Sequence, residues 1–408
     1  MSEGSTQLDS PAPRVRTLQP LLSLTGGLAV ASLYYAQPIL GHIADALQLT
    51  AADVGLVVAV TQLGYAIGIL LLAPLGDRLD RRRLVAWKLA GLTASLLLTA
   101  TAWSLPVLLG AVLFTGLCAT AAQDIVPTAA ALAPAESRAR AVGETMTGLL
   151  LGIVVSRVFS GYVGQIAGWR TVYGLAASAV AVAGLCLYRR LPAQKASTQM
   201  GYQALLGSML GLLRRHRPLQ LACLVQGLLS MGFSAFWSTL AIWLGQAPFH
   251  LDSDAAGLFG LAAAVGALAA PLTGRRADRR GAPHVIRLGI ALAAGGYLLL
   301  CVLPLLERHT ALFVLGLAVF VFDLGGQVAL VGHQALVYGL DPAARSRLNA
   351  VFFTFNFLGM AVGALLGSWL LGGFGLVAVG GLAAGAAVTA GALRLWADKA
   401  PAAVPLPR

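Results

Sequence analysis

Apolar runs of roughly 20 residues recur along the chain, each closed off by charged or turn-forming residues. A helix of that length crosses the hydrocarbon core of a bilayer, so the runs constrain the fold before any motif does. Twelve spans are predicted: 19–42, 53–76, 84–104, 106–131, 141–165, 171–188, 218–246, 254–274, 282–305, 310–336, 349–371 and 374–395. Composition agrees. Of 408 residues, 58% are hydrophobic and 11% charged, against about 45–50% and about 25% in soluble domains. This argues against a soluble enzyme, a disordered chain and a collagen-like one. The first run is too long for a signal-peptide core and no small-residue cleavage site follows it, so it is expected to remain as a span.

The net charge is +12, from 28 Lys and Arg against 16 Asp and Glu. In a soluble chain that balance would suggest nucleic acid; here topology accounts for it. With the N-terminus in the cytoplasm, every Lys and Arg but three falls on a cytoplasmic segment. The exceptions are Arg170 and Arg308 outside, and Arg157 within the fifth span. The positive-inside rule then predicts a multi-pass protein of the cytoplasmic (inner) membrane, both termini cytoplasmic, with no nucleic-acid partner. Lys88 and Arg287, at helix starts, are expected to snorkel to the headgroups. Cys118, Cys186, Cys223 and Cys301 lie in apolar runs without metal-ligand spacing and read as small buried hydrophobes.

The longest connection, 189–217, divides the chain. Its Leu205, Leu206, Met209, Leu210, Leu212 and Leu213 are too few to span and predict an interfacial helix. The two halves repeat. Ala73-Pro74-Leu75-Gly76-Asp77-Arg78 closes the second span, and Ala270-Pro271-Leu272-Thr273-Gly274, leading to Asp278-Arg279, closes the eighth. Leu132-Ala133-Pro134-Ala135 leads to Arg138 and Arg140, as Leu340-Asp341-Pro342-Ala343 leads to Arg345 and Arg347. A six-plus-six duplication about an axis along the membrane normal is a transporter architecture, with substrate expected between the halves near the midplane. The expected fold is all-α: a polytopic membrane protein with twelve transmembrane helices in two pseudo-symmetric six-helix bundles. Its parts are a cytoplasmic tail (1–18), a bundle (19–188), a central cytoplasmic loop (189–217), a bundle (218–395) and a tail (396–408).

Small residues spaced by four mark close helix contacts: Gly148, Gly152 and Ser156; Gly359, Gly363 and Gly367; Gly64 and Gly68; Gly266, Ala270 and Gly274. Static packing and sliding surfaces both fit these stripes.

These residues resemble the major facilitator superfamily over all of the chain but its tails. The most specific element is that family's loop motif, Gly-x-x-x-Asp-Arg-x-Gly-Arg-Arg. Gly274, Asp278, Arg279 and Gly281 follow it in the second copy; the first keeps Asp77, Arg78, Arg81 and Arg82 but has Ala73 and Asp80 at the two glycine positions. The resemblance implies that these eight residues form a cytoplasmic gate motif, stabilising one side of a rocking cycle. More narrowly, Tyr34-Tyr35-Ala36-Gln37-Pro38, the stretch from Pro74 to Arg83, Gly168-Trp169-Arg170 and Ala344-Arg345-Ser346-Arg347-Leu348-Asn349 are similar to bacterial sugar-efflux or drug-efflux permeases, which implies export without naming a solute. The Arg-x-x-Gln-Gly and Gly-Pro patterns of drug:proton antiporters are absent, although Gln123 lies near the first and Ser156-Arg157 occupies the region of the second.

Few ionisable residues lie deep in a span: Asp124, Arg157, Asp323 and His333. A charge at a helix centre costs roughly 2.5–3.5 kcal/mol on insertion scales and therefore marks a cavity or a partner. Asp323, near the midplane, is the first proton-coupling candidate, with Gln327 as a neighbour able to cap it. Asp124 and His333 occupy nearly symmetric positions and are the others. Arg157 must be paired or wet. It could meet Asp124, against a depth mismatch of roughly 10 Å, or an anionic substrate group. Tyr34, Tyr35, Gln37, Gln123, Gln226, Trp237, Gln327 and Asn356 complete the substrate-cavity candidates, with Pro38 expected to kink the first helix.

The predicted activity is secondary active transport by alternating access, with proton-coupled efflux of a drug-like or sugar-like solute leading and uptake symport or facilitated diffusion left open. A non-transporting sensor or scaffold is the rival of another class. No Gly-x-Ser-x-Gly, His-Glu-x-x-His or phosphate-binding loop occurs, so neither an enzyme, a metal site nor a cofactor is expected. The expected partners are a small-molecule substrate, protons and the lipid bilayer, and the resemblance implies a monomer.

Overall fold

The computed structural model describes residues 12–194, 200–268, 273 and 281–399. Every regular element among them is helical, the arrangement that satisfies backbone hydrogen bonds internally in lipid. In order the α-helices are α1 (Ala12–Ala31), α2 (Leu40–Leu47), α3 (Ala51–Leu72), α4 (Leu75–Arg78), α5 (Arg81–Ala100), α6 (Leu105–Ala119), α7 (Ala121–Leu132), α8 (Arg138–Ala167), α9 (Trp169–Arg190), α10 (Tyr202–Arg215), α11 (Arg217–Trp237), α12 (Leu240–Gly245), α13 (Ser253–Leu268), α14 (Ala282–Val302), α15 (Arg308–Tyr338) and α16 (Arg345–Lys399), with 3-10 turns at Gln37–Ile39, Ala135–Ser137, Leu303–Leu305 and Pro342–Ala344. Nine helical stretches among the described residues are long and apolar enough to cross a bilayer. The last consists of two helices merged across a bend at Gly375, where φ is +73°, a conformation glycine adopts without steric cost.

Local chemistry sets the boundaries. Thr50 and Asp53 form a capping box at the start of α3. Asp80, which stands where the motif has glycine, is the N-cap of α5: its Oδ1 accepts the Arg82 N–H and the Gln194 N–H, both at 3.0 Å. It thereby ties the chain leaving α9 to the start of α5.

Two helices are broken in corresponding places. After Ala31 the first span turns through residues 32–36 before the 3-10 turn beside Pro38. After Trp237 the seventh turns through Ser238 and Thr239 before α12. Broken helices that face each other at mid-depth are where transporters place polar sites.

The glycine stripes pack mostly within each half of the chain. Gly148 and Gly152 of α8 lie on Ser23 and Gly27 of α1; Gly359, Gly363 and Gly367 of α16 lie on Gly227, Met231 and Ala235 of α11. Gly64 and Gly68 pack on α6 and the residue that ends it. Ala270 and Gly274 lie outside the described residues. Contacts between the halves use other glycines. Gly55 of α3 meets Ser368 of α16, and Gly161 of α8 meets Ser253 and Gly257 of α13.

One end of the molecule collects the arginine-bearing loops. Arg82 Nε reaches Tyr188 O (3.0 Å), Tyr202 Oη reaches Leu71 O (2.8 Å) and Arg347 Nη1 reaches Ser208 Oγ (2.9 Å). This basic end also holds α10, whose Leu205 and Met209 are buried, so the central segment docks on the protein through its apolar face. At the opposite end His42 links three segments, through Nδ1 to Gly164 O (3.1 Å) and Nε2 to Asp252 (2.8 Å).

Candidate functional site

The two helix breaks converge on Arg157. This residue is 1% exposed. Its Nε donates to Gln37 Oε1 at 3.0 Å, from the turn that interrupts the first span. The guanidinium carbon lies 3.9 Å from the Trp237 ring centroid at the second break, 5.1 Å from that of Tyr34 and 5.6 Å from that of Phe233. A desolvated cation over an indole gains about 2 kcal/mol, which offsets part of the cost of burial. Room for this side chain comes from α13: a Cβ on Gly260 would sit 2.9 Å from Arg157 Cβ, and one on Gly257 2.6 Å from Arg157 O.

Asp323, halfway along α15, faces the same place from the other half of the chain. It is 4% exposed and close to Arg157, Tyr34, Tyr297 and Trp237. Arg157 and Asp323 nevertheless make no ion pair within 4 Å. Both Asp323 oxygens, Arg157 Nη2, Gln37 Nε2 and Trp237 Nε1 are buried with no partner at full hydrogen-bond geometry among the described residues, Trp237 being the side-chain donor that interacts with Asp323. Each such group costs about 1–3 kcal/mol, and native structures keep few of them. Three donors and one carboxylate without such partners thus gather at the meeting point of two broken helices. Gln327 does not cap Asp323; it is half-buried one turn further along α15.

Asp124 is engaged elsewhere. Lys88 Nζ approaches Asp124 Oδ2 at 2.5 Å, with both side chains about 95% buried. Lys88 does not snorkel, because α5 lies beside α6 and α7 and turns the ammonium inward; Arg157 is accordingly not the partner of Asp124. Arg287, by contrast, is half-exposed and lies 3.7 Å from Asp398. The Lys88–Asp124 pair supports the basic-end loop, since a Cβ on Gly76 would lie 2.8 Å from Asp124 Oδ1. In that loop Asp77 and Arg78 fall within α4, Arg81 Nε donates to Gly76 O (3.1 Å), and Arg82 stacks on Tyr188 at 4.6 Å. In the second copy Gly281 has φ of +83° at the start of α14; Gly274, Asp278 and Arg279 lie outside the described residues.

The second half holds its own hydrogen-bonded network, with His333 Nε2 left buried and unpartnered. His333 Nδ1 contacts Gln226 Oε1 at 3.0 Å, while Gln226 Nε2 (3.3 Å) and Ser230 Oγ (2.6 Å) donate to Asn356 Oδ1. Gln123 donates to Tyr65 Oη at 3.0 Å, and the Tyr65 ring packs on Phe357 across the halves at 4.4 Å. Tyr35 points away from Arg157, edge-on to Phe159 and Tyr173, and lines an apolar groove of about 690 Å³ between α1, α8 and α9.

Of the residues predicted for the cavity and for proton coupling, the structure thus gathers Tyr34, Gln37, Arg157, Trp237 and Asp323 at one point. Gln226, His333 and Asn356 form a second group, and Gln123, Asp124 and Tyr35 stand apart. Sequence reasoning misses the parts played by Lys88, Phe233, Gly257 and Gly260. The two glycines, three residues apart opposite a buried arginine, are the available signal.

Comparison with known proteins identifies the family. The profile of the Major Facilitator Superfamily matches residues 22–338 and 222–408. The uncharacterized transporter YgaY of Escherichia coli O157:H7 is 38% identical over 363 residues, 88% of this chain and 91% of that protein. The probable transporter SCO4007 of Streptomyces coelicolor is 35% identical, over 92% of this chain and 87% of its own length. Among solved structures, the nucleoside transporter NupG superposes with a TM-score of 0.74 over 94% of this chain and 99% of its own, at 14% identity. A bacterial homolog of the human lysosomal transporter Spinster gives 0.72 over 95% and 96%, at 15% identity. At those identities the likeness is one of fold. The chain belongs to the major facilitator superfamily and is a membrane-spanning transporter.

Proposed function

We propose that this chain is a proton-coupled secondary transporter of the inner membrane, with twelve spans in two six-helix bundles and both termini cytoplasmic. Solute binds at the Arg157–Trp237–Gln37–Tyr34 cluster, and Asp323 carries the coupling proton. The observation that carries this reading is the set of buried, unpartnered polar atoms contributed by Arg157 of α8, Trp237 of α11, Asp323 of α15 and Gln37 of the turn after α1. Asp323 is the acid in that set, and it is held near a cation that does not neutralise it by direct contact. Asp124 is tied to Lys88 and supports the gate loop that Asp77, Arg78, Arg81 and Arg82 form at the basic end. His333 belongs to a hydrogen-bonded network and orients Gln226.

The permease-like segments favour export, and the same site serves uptake or facilitated diffusion. The test is solute-induced proton movement in proteoliposomes read by a pH-gradient dye, with sugars, amphiphilic cations and organic anions. Wild type is expected to move protons with one class, Asp323→Asn with none, and Asp124→Asn in proportion to the folded protein recovered. Proton movement that survives in Asp323→Asn overturns the assignment.

A further inference from the structure

The charge balance of the Arg157 site restricts what can enter it. Arg157 keeps its proton under all practical conditions. The groups facing Asp323 are Arg157 from α8, Tyr34 from the turn after α1, Trp237 from α11 and Tyr297 from α14. With Asp323 ionised, the empty site is therefore neutral. Any loaded form that crosses the midplane away from water favours neutrality too, because net charge at that depth is costly.

Three kinds of solute give three balances. A neutral solute leaves the site neutral and involves no proton. A monocation leaves it at plus one, since Arg157 cannot release a proton to compensate. A monoanion makes it minus one, and a single proton on Asp323 restores zero. The unpartnered atoms point the same way: Arg157 Nη2 and Gln37 Nε2 are donors, and the buried acceptor beside them, Asp323, with which Trp237 interacts, is the group that protonation removes as a competitor for the guanidinium. Tyr34, Phe233 and Trp237 supply aromatic faces around the cation, suited to an apolar body attached to a carboxylate.

Building on the reading of this cluster as the transport site, we propose that its substrate is a small aromatic or apolar monocarboxylate, bound at Arg157 together with one proton on Asp323. Solute and proton then move in the same direction. Coupling is cotransport, and solute flow follows the proton gradient instead of opposing it as in antiport.

The probes are benzoate, benzamide and benzylammonium, titrated calorimetrically into the purified full-length chain in two buffers of different ionisation enthalpy. Benzoate is expected to bind wild type with uptake of about one proton, so its affinity falls about tenfold per pH unit where Asp323 is ionised. Asp323→Asn is expected to bind benzoate with no proton uptake and no such pH dependence, and Arg157→Gln to lose benzoate binding by on the order of 100-fold. Because Asp323→Asn leaves the guanidinium uncompensated, benzoate is also expected to raise its thermal stability, an effect absent in the Arg157→Gln/Asp323→Asn double variant. If Asp323→Asn does not fold, the wild-type proton uptake decides alone.

Benzoate that neither binds wild type with a proton nor stabilises Asp323→Asn overturns the proposal. Benzylammonium binding with proton release, abolished in Asp323→Asn, overturns the substrate class while keeping the cluster as the site. Binding of any of the three probes that is indifferent to both variants removes the site itself.

Discussion

Two acid–base pairs are buried among the described residues, and they differ in one respect. Lys88 and Asp124 are in contact at 2.5 Å within the first half of the chain. Arg157 and Asp323 come from different halves, lie close, and do not touch. A closed buried pair has satisfied its own desolvation and has nothing to offer a ligand. An unclosed pair retains unsatisfied donors and acceptors that a ligand can meet. On the reading proposed above, the first pair is structural and the second is the working one. Titratable side chains in a span are expensive either way; contact across or within a half distinguishes their roles.

The sharpest way to break this contrast is to remove one member of each pair. Arg157→Gln is expected to lower transport by on the order of 100-fold while costing only about 1–2 kcal/mol of stability, because the amide still meets Gln37. Lys88→Met is expected to do the reverse, losing about 3–5 kcal/mol by leaving Asp124 without its ammonium. Thermal unfolding in detergent beside transport per folded molecule separates them. Equal stability losses in the two variants would erase the distinction. A neutral replacement of the whole pair, Lys88→Met with Asp124→Leu, is expected to recover most of the lost stability.

A smaller effect is expected from Gly260→Ala, whose new Cβ would fall 2.9 Å from Arg157 Cβ. Overpacking of this kind costs about 1–3 kcal/mol, and here it displaces the guanidinium from Trp237. Quenching of Trp237 fluorescence by solute should weaken in the variant, whereas Gly64→Ala, packed within one half, should lower stability without changing the quenching.

The smallest effect belongs to the opposite end. Burial raises the Asp252 carboxyl, but the Ser253 amide and His42 together outweigh it and hold the group below the usual carboxylate range. A group with a depressed value stabilises above the unfolded value and loses that contribution as the pH falls through the folded one. Wild type and Asp252→Asn should therefore differ in melting temperature at pH 7, and the difference should begin to shrink only below about pH 4 and disappear once the pH has passed below the depressed folded value.

Much of the site is legible in the residues alone. Asp323 and Arg157 stand out because charge deep in an apolar run needs a reason, and Pro38 marks the break in the first span. Gln37 and Trp237 are recognisable as polar or amphipathic groups at mid-depth. Partners are not legible. Residue counting across the α7–α8 connection sets Arg157 against Asp124 and gives a poor match in depth, but counting along a hairpin says nothing about helices from the other half. Lys88 reads as a headgroup anchor when its depth is judged along α5 alone, whereas its direction is set by α6 and α7. The glycine stripes identify close helix contacts without saying which helix lies opposite, so the within-half stripes are more visible than Gly161 and Gly257, which join the halves around Arg157.

The most direct test of the account is the infrared difference spectrum of the membrane-reconstituted protein on acidification. A carboxylic C=O band is expected in wild type, absent in Asp323→Asn, unchanged in Asp124→Asn and shifted in Arg157→Gln. The same band persisting in Asp323→Asn, or disappearing in Asp124→Asn, would contradict it.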